Sequence, residues 1–422
     1  MIAALAVLII LLAWSAFSGA LDRRGITSAL FLATAGLVVG LLLPSAFEAP
    51  TDLTTARLIA ELALVLLLFS DAMRIDLRAL RHQLSWPSRL LLIGLPLTVL
   101  AGVGVGLLVF PDVAFASVIL LAIMLAPTDA ALGQKVVEDT AVPSRVRQAL
   151  DVESGLNDGL AVPLFLVALS IANAELEMSV PGAVLMNMWT QIGGGVLAGV
   201  GAAIVGGTVF AFADARGWVG AHWRQVMPLA TALLCFAIAD TLGGSGFIAA
   251  FVGGLVFGRV AGRARSEISV LTEEAGDLLA AVTWIGFGAL ALVLVLPSIT
   301  WQVVLYAVLS LTVVRMVPVA VALAGRRIRL PTIAFIGWFG PRGLASLVFG
   351  LMVLEEGVPE GNILLSTVVV TVALSILLHG LSSVPLVAVY HRWSTAHIAS
   401  DPNSAEGVPA RMPRLRRERP GA

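Results

Sequence analysis

One cysteine, Cys235, occurs in 422 residues. A lone thiol excludes a disulfide framework and a thiolate metal centre, and no Cys-x-x-Cys or His-x-x-x-His spacing supplies a zinc site in its place. Charge is scarce as well: Asp, Glu, Lys and Arg make up 13% of the chain and the formal net charge is -1, which excludes the basic face that a nucleic-acid partner needs. Neither His-Glu-x-x-His nor Gly-x-Ser-x-Gly is present, so the common hydrolase motifs are missing. A Thr-Val-Gly-Tyr-Gly filter is also missing, which weighs against a passive cation channel. Nothing in the sequence asks for a cofactor. What is abundant is apolar surface: 59% of residues are hydrophobic and the mean hydropathy is +0.98, far too high for a soluble domain.

The apolar residues fall into runs of membrane-spanning length. Thirteen are predicted, near 2–17, 26–43, 53–71, 89–109, 113–132, 145–172, 184–212, 225–241, 245–260, 270–296, 301–323, 331–353 and 362–391. The expected fold is therefore an all-α polytopic membrane protein. The first run follows Met1-Ile2-Ala3-Ala4, which lacks the basic n-region of a signal peptide, and it is read as a span.

Twenty-three of the 26 Lys and Arg lie in alternate connections, beginning with Arg23 and Arg24, or in the tail from Arg392. The opposite connections hold only Arg57 and carry acids such as Glu48, Asp52, Glu175, Glu355 and Glu360. By the positive-inside rule the N-terminus is outside and the C-terminus cytoplasmic, in the plasma (inner) membrane.

Within the sixth run stands Glu153-Ser154-Gly155-Leu156-Asn157-Asp158-Gly159. A carboxylate at bilayer depth costs about 2.5 to 3.5 kcal/mol even on lenient scales, so it is kept for an ion path, a proton relay or a buried pair. Runs five and twelve each contain a proline beside an ionisable residue, Ala126-Pro127-Thr128-Asp129 and Gly340-Pro341-Arg342-Gly343. Proline removes a backbone donor and frees carbonyls at membrane depth. The two runs are seven apart and so cross the membrane in opposite senses, as two inverted six-helix repeats flanking run seven require. Broken helices at matching positions of inverted halves point to a transporter's binding site. Ser154 and Asp158, four apart, share a helical face, and Glu153 and Asn157 share a neighbouring one. Asp158, Asp129, Ser154 and Thr128 are candidate oxygen ligands for a hard cation such as Na+, held transiently at Asp158 and Asp129. Pro127 and Asn157 shape the site. Arg342 needs an acid, and Glu153 is its expected partner, leaving Asp158 and Asp129 for transported ions.

These motifs resemble those of the monovalent cation:proton antiporters, specifically the NhaP-type sodium/proton exchangers. Thr128-Asp129, the Glu153 to Gly159 run and Gly340-Pro341-Arg342-Gly343 carry the resemblance, with Gly244 to Leu255 and Glu61 to Phe69 also similar. It covers nearly the whole chain apart from the tail after Trp393. It implies thirteen spans with two broken, crossing helices, a homodimer in the lipid bilayer, and an elevator motion of a core against a scaffold. Carried over, residues 1–77 and 184–296 form scaffold and linker helices, 89–172 and 301–391 form the core, and 394–422 is a disordered cytoplasmic tail. The Asn157-Asp158 pair, where electrogenic relatives have Asp-Asp, implies electroneutral exchange of one cation, Na+ or alternatively K+, for one proton. One departure is Ala130, where family members often have proline.

Other polar residues take plainer readings. Glu61 and Asp240 are expected to be paired or interface groups. Arg315 is expected to satisfy a core carboxylate or broken-helix carbonyls, with gating as the alternative. His82, His222, His379, His391 and His397 are placed at or outside span ends, which weighs against a histidine relay. Glycines at 193, 194, 195, 199, 201, 206 and 207 permit close helix packing. The tail, with Pro402, Pro409, Pro413 and a series of arginines from Arg411 to Arg419, is expected to lie near anionic lipid.

Overall fold

A computed structural model describes residues 2–47, 50–75, 86–177, 181–262, 265–358, 360–401 and 404–408. These residues form helices and connections, with no strand among them. Fifteen helices are α1 (Ile2–Arg23), α2 (Ser28–Leu42), α3 (Pro50–Arg74), α4 (Pro87–Val109), α5 (Phe115–Met124), α6 (Ala130–Glu138), α7 (Ser144–Glu177), α8 (Pro181–Ala215), α9 (Ala221–Thr241), α10 (Gly246–Ala261), α11 (Val270–Ser298), α12 (Trp301–Leu323), α13 (Leu330–Trp338), α14 (Leu344–Glu355) and α15 (Gly361–Ser400). Each of the thirteen apolar runs is helical. Runs five and twelve are each split into two short helices, α5 with α6 and α13 with α14, at the prolines that the sequence singles out.

The ends of these helices are set locally. Thr27, Asp129, Ser245 and Thr300 each accept a backbone N–H from the first turn of the helix that follows, satisfying a donor that has no partner within the helix. The seven helices long and apolar enough to cross a membrane include α7, α8 and α15. At 34, 35 and 40 residues these three exceed the roughly 20 residues that a bilayer core requires. A π-helical turn widens α4 at Leu90–Gly94 and α11 at Phe287–Leu292. In α12 the backbone breaks at Thr312 (φ -110, ψ -88), whose hydroxyl turns back to the Val308 carbonyl at 2.6 Å. Nothing in the sequence reading anticipates this bend.

The chain divides into two units. Among the described residues, the first gathers those of 2–60, 86–157 and 281–408, including both broken helices, α12 and α15. At one end of this unit Trp86, Val142, Val146, Phe335, Phe339 and Tyr390 form an apolar cluster. Phe335 stacks on Tyr390 with ring centroids 4.2 Å apart, and the stack continues through Trp393 to His397. Here one expectation is corrected. The segment from 394 is not a disordered tail up to residue 408: α15 runs on to Ser400, and Glu406 is only 2% exposed. The Glu406 carboxylate accepts the Arg329 N–H at 2.9 Å and the Thr332 hydroxyl at 3.0 Å, so it caps α13. Aromatic stacking on α15 and this cap fix what composition alone leaves loose. Residues 409–422 lie outside the described residues, as do Glu48, Arg78, Arg81, His82 and Pro402.

Among the described residues, the second unit takes 61–75 and those of 158–280. Gly195 and Gly199 of α8 let that helix lie directly on the backbone of α10, and Gly206 faces Thr231 of α9. Gly193 and Gly201 make no such approach to another helix. Arg74 is buried, donating to the Ser269 hydroxyl at 2.8 Å and pairing with Glu273.

Candidate functional site

The two breaks of the first unit cross one another, and polar groups satisfy the backbone that each break exposes. Asp129 occupies the linker between α5 and α6. Its Oδ1 accepts the N–H of Leu132 at 2.8 Å and its Oδ2 accepts the N–H of Leu344 at 2.8 Å. A single carboxylate therefore caps the N-termini of both α6 and α14, the positive ends of two helix dipoles. The Asp129 N–H in turn donates to the Pro341 carbonyl at 2.8 Å, joining the two linkers. This geometry explains Gly343: a Cβ there would collide with the Asp129 carboxylate.

Arg342 supplies the opposite charge. It is fully buried, and its Nη1 donates to the carbonyls of Ala126 at 2.5 Å and Pro127 at 3.0 Å. These carbonyls lie just past the C-terminal end of α5, where the dipole is negative and Pro127 ends the ladder. The expected pairing of Arg342 with Glu153 is corrected. Arg315 of α12 holds Glu153 instead, in a bidentate pair with Nη1–Oε1 at 2.5 Å and Nη2–Oε2 at 2.8 Å, both side chains 4% exposed. The reason is positional: Arg342 is drawn to carbonyls freed by the crossing, while Arg315 is presented one turn after the bend at Thr312. Arg315 also lies against Gly340, where a Cβ would strike its guanidinium.

Of the other predicted site residues, Thr128 and Asn157 meet: the Asn157 amide donates to the Thr128 hydroxyl at 2.6 Å, and both are buried. That bond ties α7 to the break between α5 and α6. The Ser154 hydroxyl turns back to the Leu150 carbonyl at 2.9 Å. Asp158 follows Asn157 on α7, is half-buried and falls in the second unit. Among the described residues no group of three or more His, Cys, Asp or Glu could hold a metal ion. His379, placed by sequence at a span end, instead sits near the middle of α15 and is 3% exposed. The spacing Ser375-x-x-x-His379 on one helical face is the sequence signal for it.

Similarity to known proteins fixes the family. A model described as the transmembrane sodium/hydrogen exchanger matches residues 6–389. The chain belongs to the sodium/hydrogen exchanger family. It is 29% identical over 343 residues to the Na(+)/H(+) antiporter NhaP of Pseudomonas aeruginosa, covering 76% of this chain and 78% of that protein. It is 28% identical over 346 residues to the K(+)/H(+) antiporter NhaP2 of Shewanella sp. strain ANA-3, covering 78% of this chain. The chain spans 57% of the length of that potassium-named relative. Its fold matches the sodium proton antiporter MjNhaP1 of Methanocaldococcus jannaschii with a TM-score of 0.71 at 18% identity, covering 90% of this chain and 99% of that one.

Proposed function

We propose that this chain is an electroneutral antiporter that exchanges one monovalent cation, Na+ by preference, for one proton at Asp158. The hydrogen bond from Asn157 to Thr128 carries the reading, because it commits the residue beside Asp158 to holding the broken helix, and an amide, unlike a carboxylate, carries no titratable proton at that position. The other acids of the region have fixed duties: Glu153 neutralises Arg315, and both Asp129 oxygens hold helix N-termini. Of the expected pair of exchanging acids we assign the exchange to Asp158, with Asp129 as a fixed anion and Ser154 and Thr128 as candidate oxygen donors. A carboxylate loaded with Na+ and one loaded with H+ have the same net charge, so the loaded forms cross alike and the empty anion crosses slowly. The core helices carrying the crossing move in an elevator-type step within a homodimer, with the N-terminus outside and the C-terminus cytoplasmic.

Proteoliposomes with an imposed proton gradient test this. Sodium uptake driven by outward-directed protons, with little response to membrane voltage, is the expected result. Uptake that follows voltage would indicate a channel and overturn the proposal. The K(+)/H(+) names of several relatives make potassium the second ion to test.

A further inference from the structure

After its last helix the chain folds back onto the first unit, at the end where the apolar cluster lies. Ser404 is buried, Ala405 packs against the cluster, and the Ala405 carbonyl accepts an N–H of the Arg145 guanidinium at 3.2 Å. The cluster holds Val136 of α6 together with Phe335, Ile336 and Phe339 of α13, so it joins one half of each broken helix. Glu406 then reaches the N-terminus of α13, where its Oε1 accepts the Arg329 N–H and the Thr332 hydroxyl. Thr332 has a single hydroxyl hydrogen, given to this carboxylate, so the Tyr390 hydroxyl 3.0 Å away is the donor to Thr332. A line of bonds runs from the segment after α15, through the first turn of α13, and back to α15. The other end of α13 enters the crossing. This helix has only 9 residues, about 13 Å at 1.5 Å per residue. Past it the Pro341 carbonyl accepts the Asp129 N–H, and Arg342 holds the carbonyls of Ala126 and Pro127. A helix so short and so packed moves as a rod, and a shift at Arg329 is delivered to Pro341.

We propose that Ser404–Val408 is a strap that sets the register of the crossing from beyond the last helix, with Glu406 as its positioning residue. The link to transport rests on the antiport reading. With the strap docked, the α13–α14 linker is held where Asp129 caps Leu344 and Arg342 meets the α5 carbonyls. Without the two Glu406 bonds, α13 is pinned only from its far end and its sides, and part of the population loses that register. A cation then binds with an apparent affinity reduced by the fraction of chains still in register. Glu406 touches no transported ion. It acts through α13, and its effect appears in affinity.

Two measurements on the full chain test this. The first is the sodium dependence of proton flux in proteoliposomes. Glu406→Ala is expected to raise KM about two- to fivefold, the upper figure being the factor to which the whole worth of one N-cap converts, while the maximal rate per folded chain stays within about twofold. Glu406→Gln keeps an oxygen that accepts both bonds and should return KM to within about twofold of the wild type. A segment that merely stabilised the fold would lower the number of active chains and leave KM alone. An unchanged KM in Glu406→Ala overturns the proposal. The second measurement is amide hydrogen exchange at Asp129 and Leu344, whose N–H groups are bonded across the crossing. Both should exchange faster in Glu406→Ala, and faster exchange confined to Leu330–Trp338 overturns the transmission along α13. Should Glu406→Ala fail to fold, Thr332→Val removes one of the two donors and takes its place, with the same direction expected in both measurements. A wild type that moves no sodium defeats the antiport reading instead, and the exchange at Asp129 and Leu344 then decides the strap alone.

Discussion

Glu153 and Arg315 should behave as one unit in mutation, and Glu153 and Arg342 should not. Both side chains of the first pair are 4% exposed and meet at 2.5 and 2.8 Å. Two unit charges about 4 Å apart at an effective dielectric of about 20 interact by roughly 4 kcal/mol. Removing one partner strands the other in a desolvated site, at a cost of about 3 to 5 kcal/mol. Glu153→Gln and Arg315→Met should therefore each lower the thermal midpoint of the purified protein strongly. The double variant should regain much of the loss, because a buried pair replaced on both sides is often close to neutral. The coupling energy from this cycle should be on the order of 2 kcal/mol or more, within the range measured for groups in contact. The same cycle with Arg342→Met should give a much smaller coupling, since Arg342 Nη1 is spent on the carbonyls of Ala126 and Pro127. Additive losses at Glu153 and Arg315, or a larger coupling to Arg342, would refute this assignment of partners.

Other residues give separate tests. Gly343→Ala drives a methyl into the Asp129 carboxylate, so it should abolish exchange and cost about 1 to 3 kcal/mol, as overpacking does; wild-type thermal stability in that variant would contradict the crossing geometry. Glu406→Ala removes the cap on α13 and should lower stability by about 1 kcal/mol, the usual worth of an N-cap; amide hydrogen exchange in Leu330–Trp338 should rise, and unchanged protection would mean that the cap is idle. Asp158→Asn should leave the protein folded by gel filtration and thermal melt while sodium-driven proton flux is lost.

Much of the architecture was legible because the bilayer makes it so. A spanning helix must be apolar along its length, and a break at depth needs proline and polar neighbours, so thirteen helices and the two splits at Pro127 and Pro341 could be read from local runs. The motifs put Thr128 and Asn157 in one site, and the two side chains meet. Long-range partners were not legible. Glu153 had two buried arginines to choose from, and nothing local shows that Arg342 is taken up by carbonyls 215 residues away. The burial of His379 is hidden in the sequence because span ends are indistinct in a helix of 40 residues that outruns the bilayer. The fixed place of residues 404–408 is not legible for a related reason. Its composition is that of a tail, and distant partners give it a fixed place: Arg329 and Thr332 on Glu406, and Arg145 on the Ala405 carbonyl.

Proton release on cation addition measures the central claim most directly. In weakly buffered solution with a pH dye, Na+ added to the purified protein should expel about one proton per chain, since cation and proton occupy one carboxylate in turn. Asp158→Asn should expel none. Equal release from that variant, or none from the wild type with either Na+ or K+, would contradict the account.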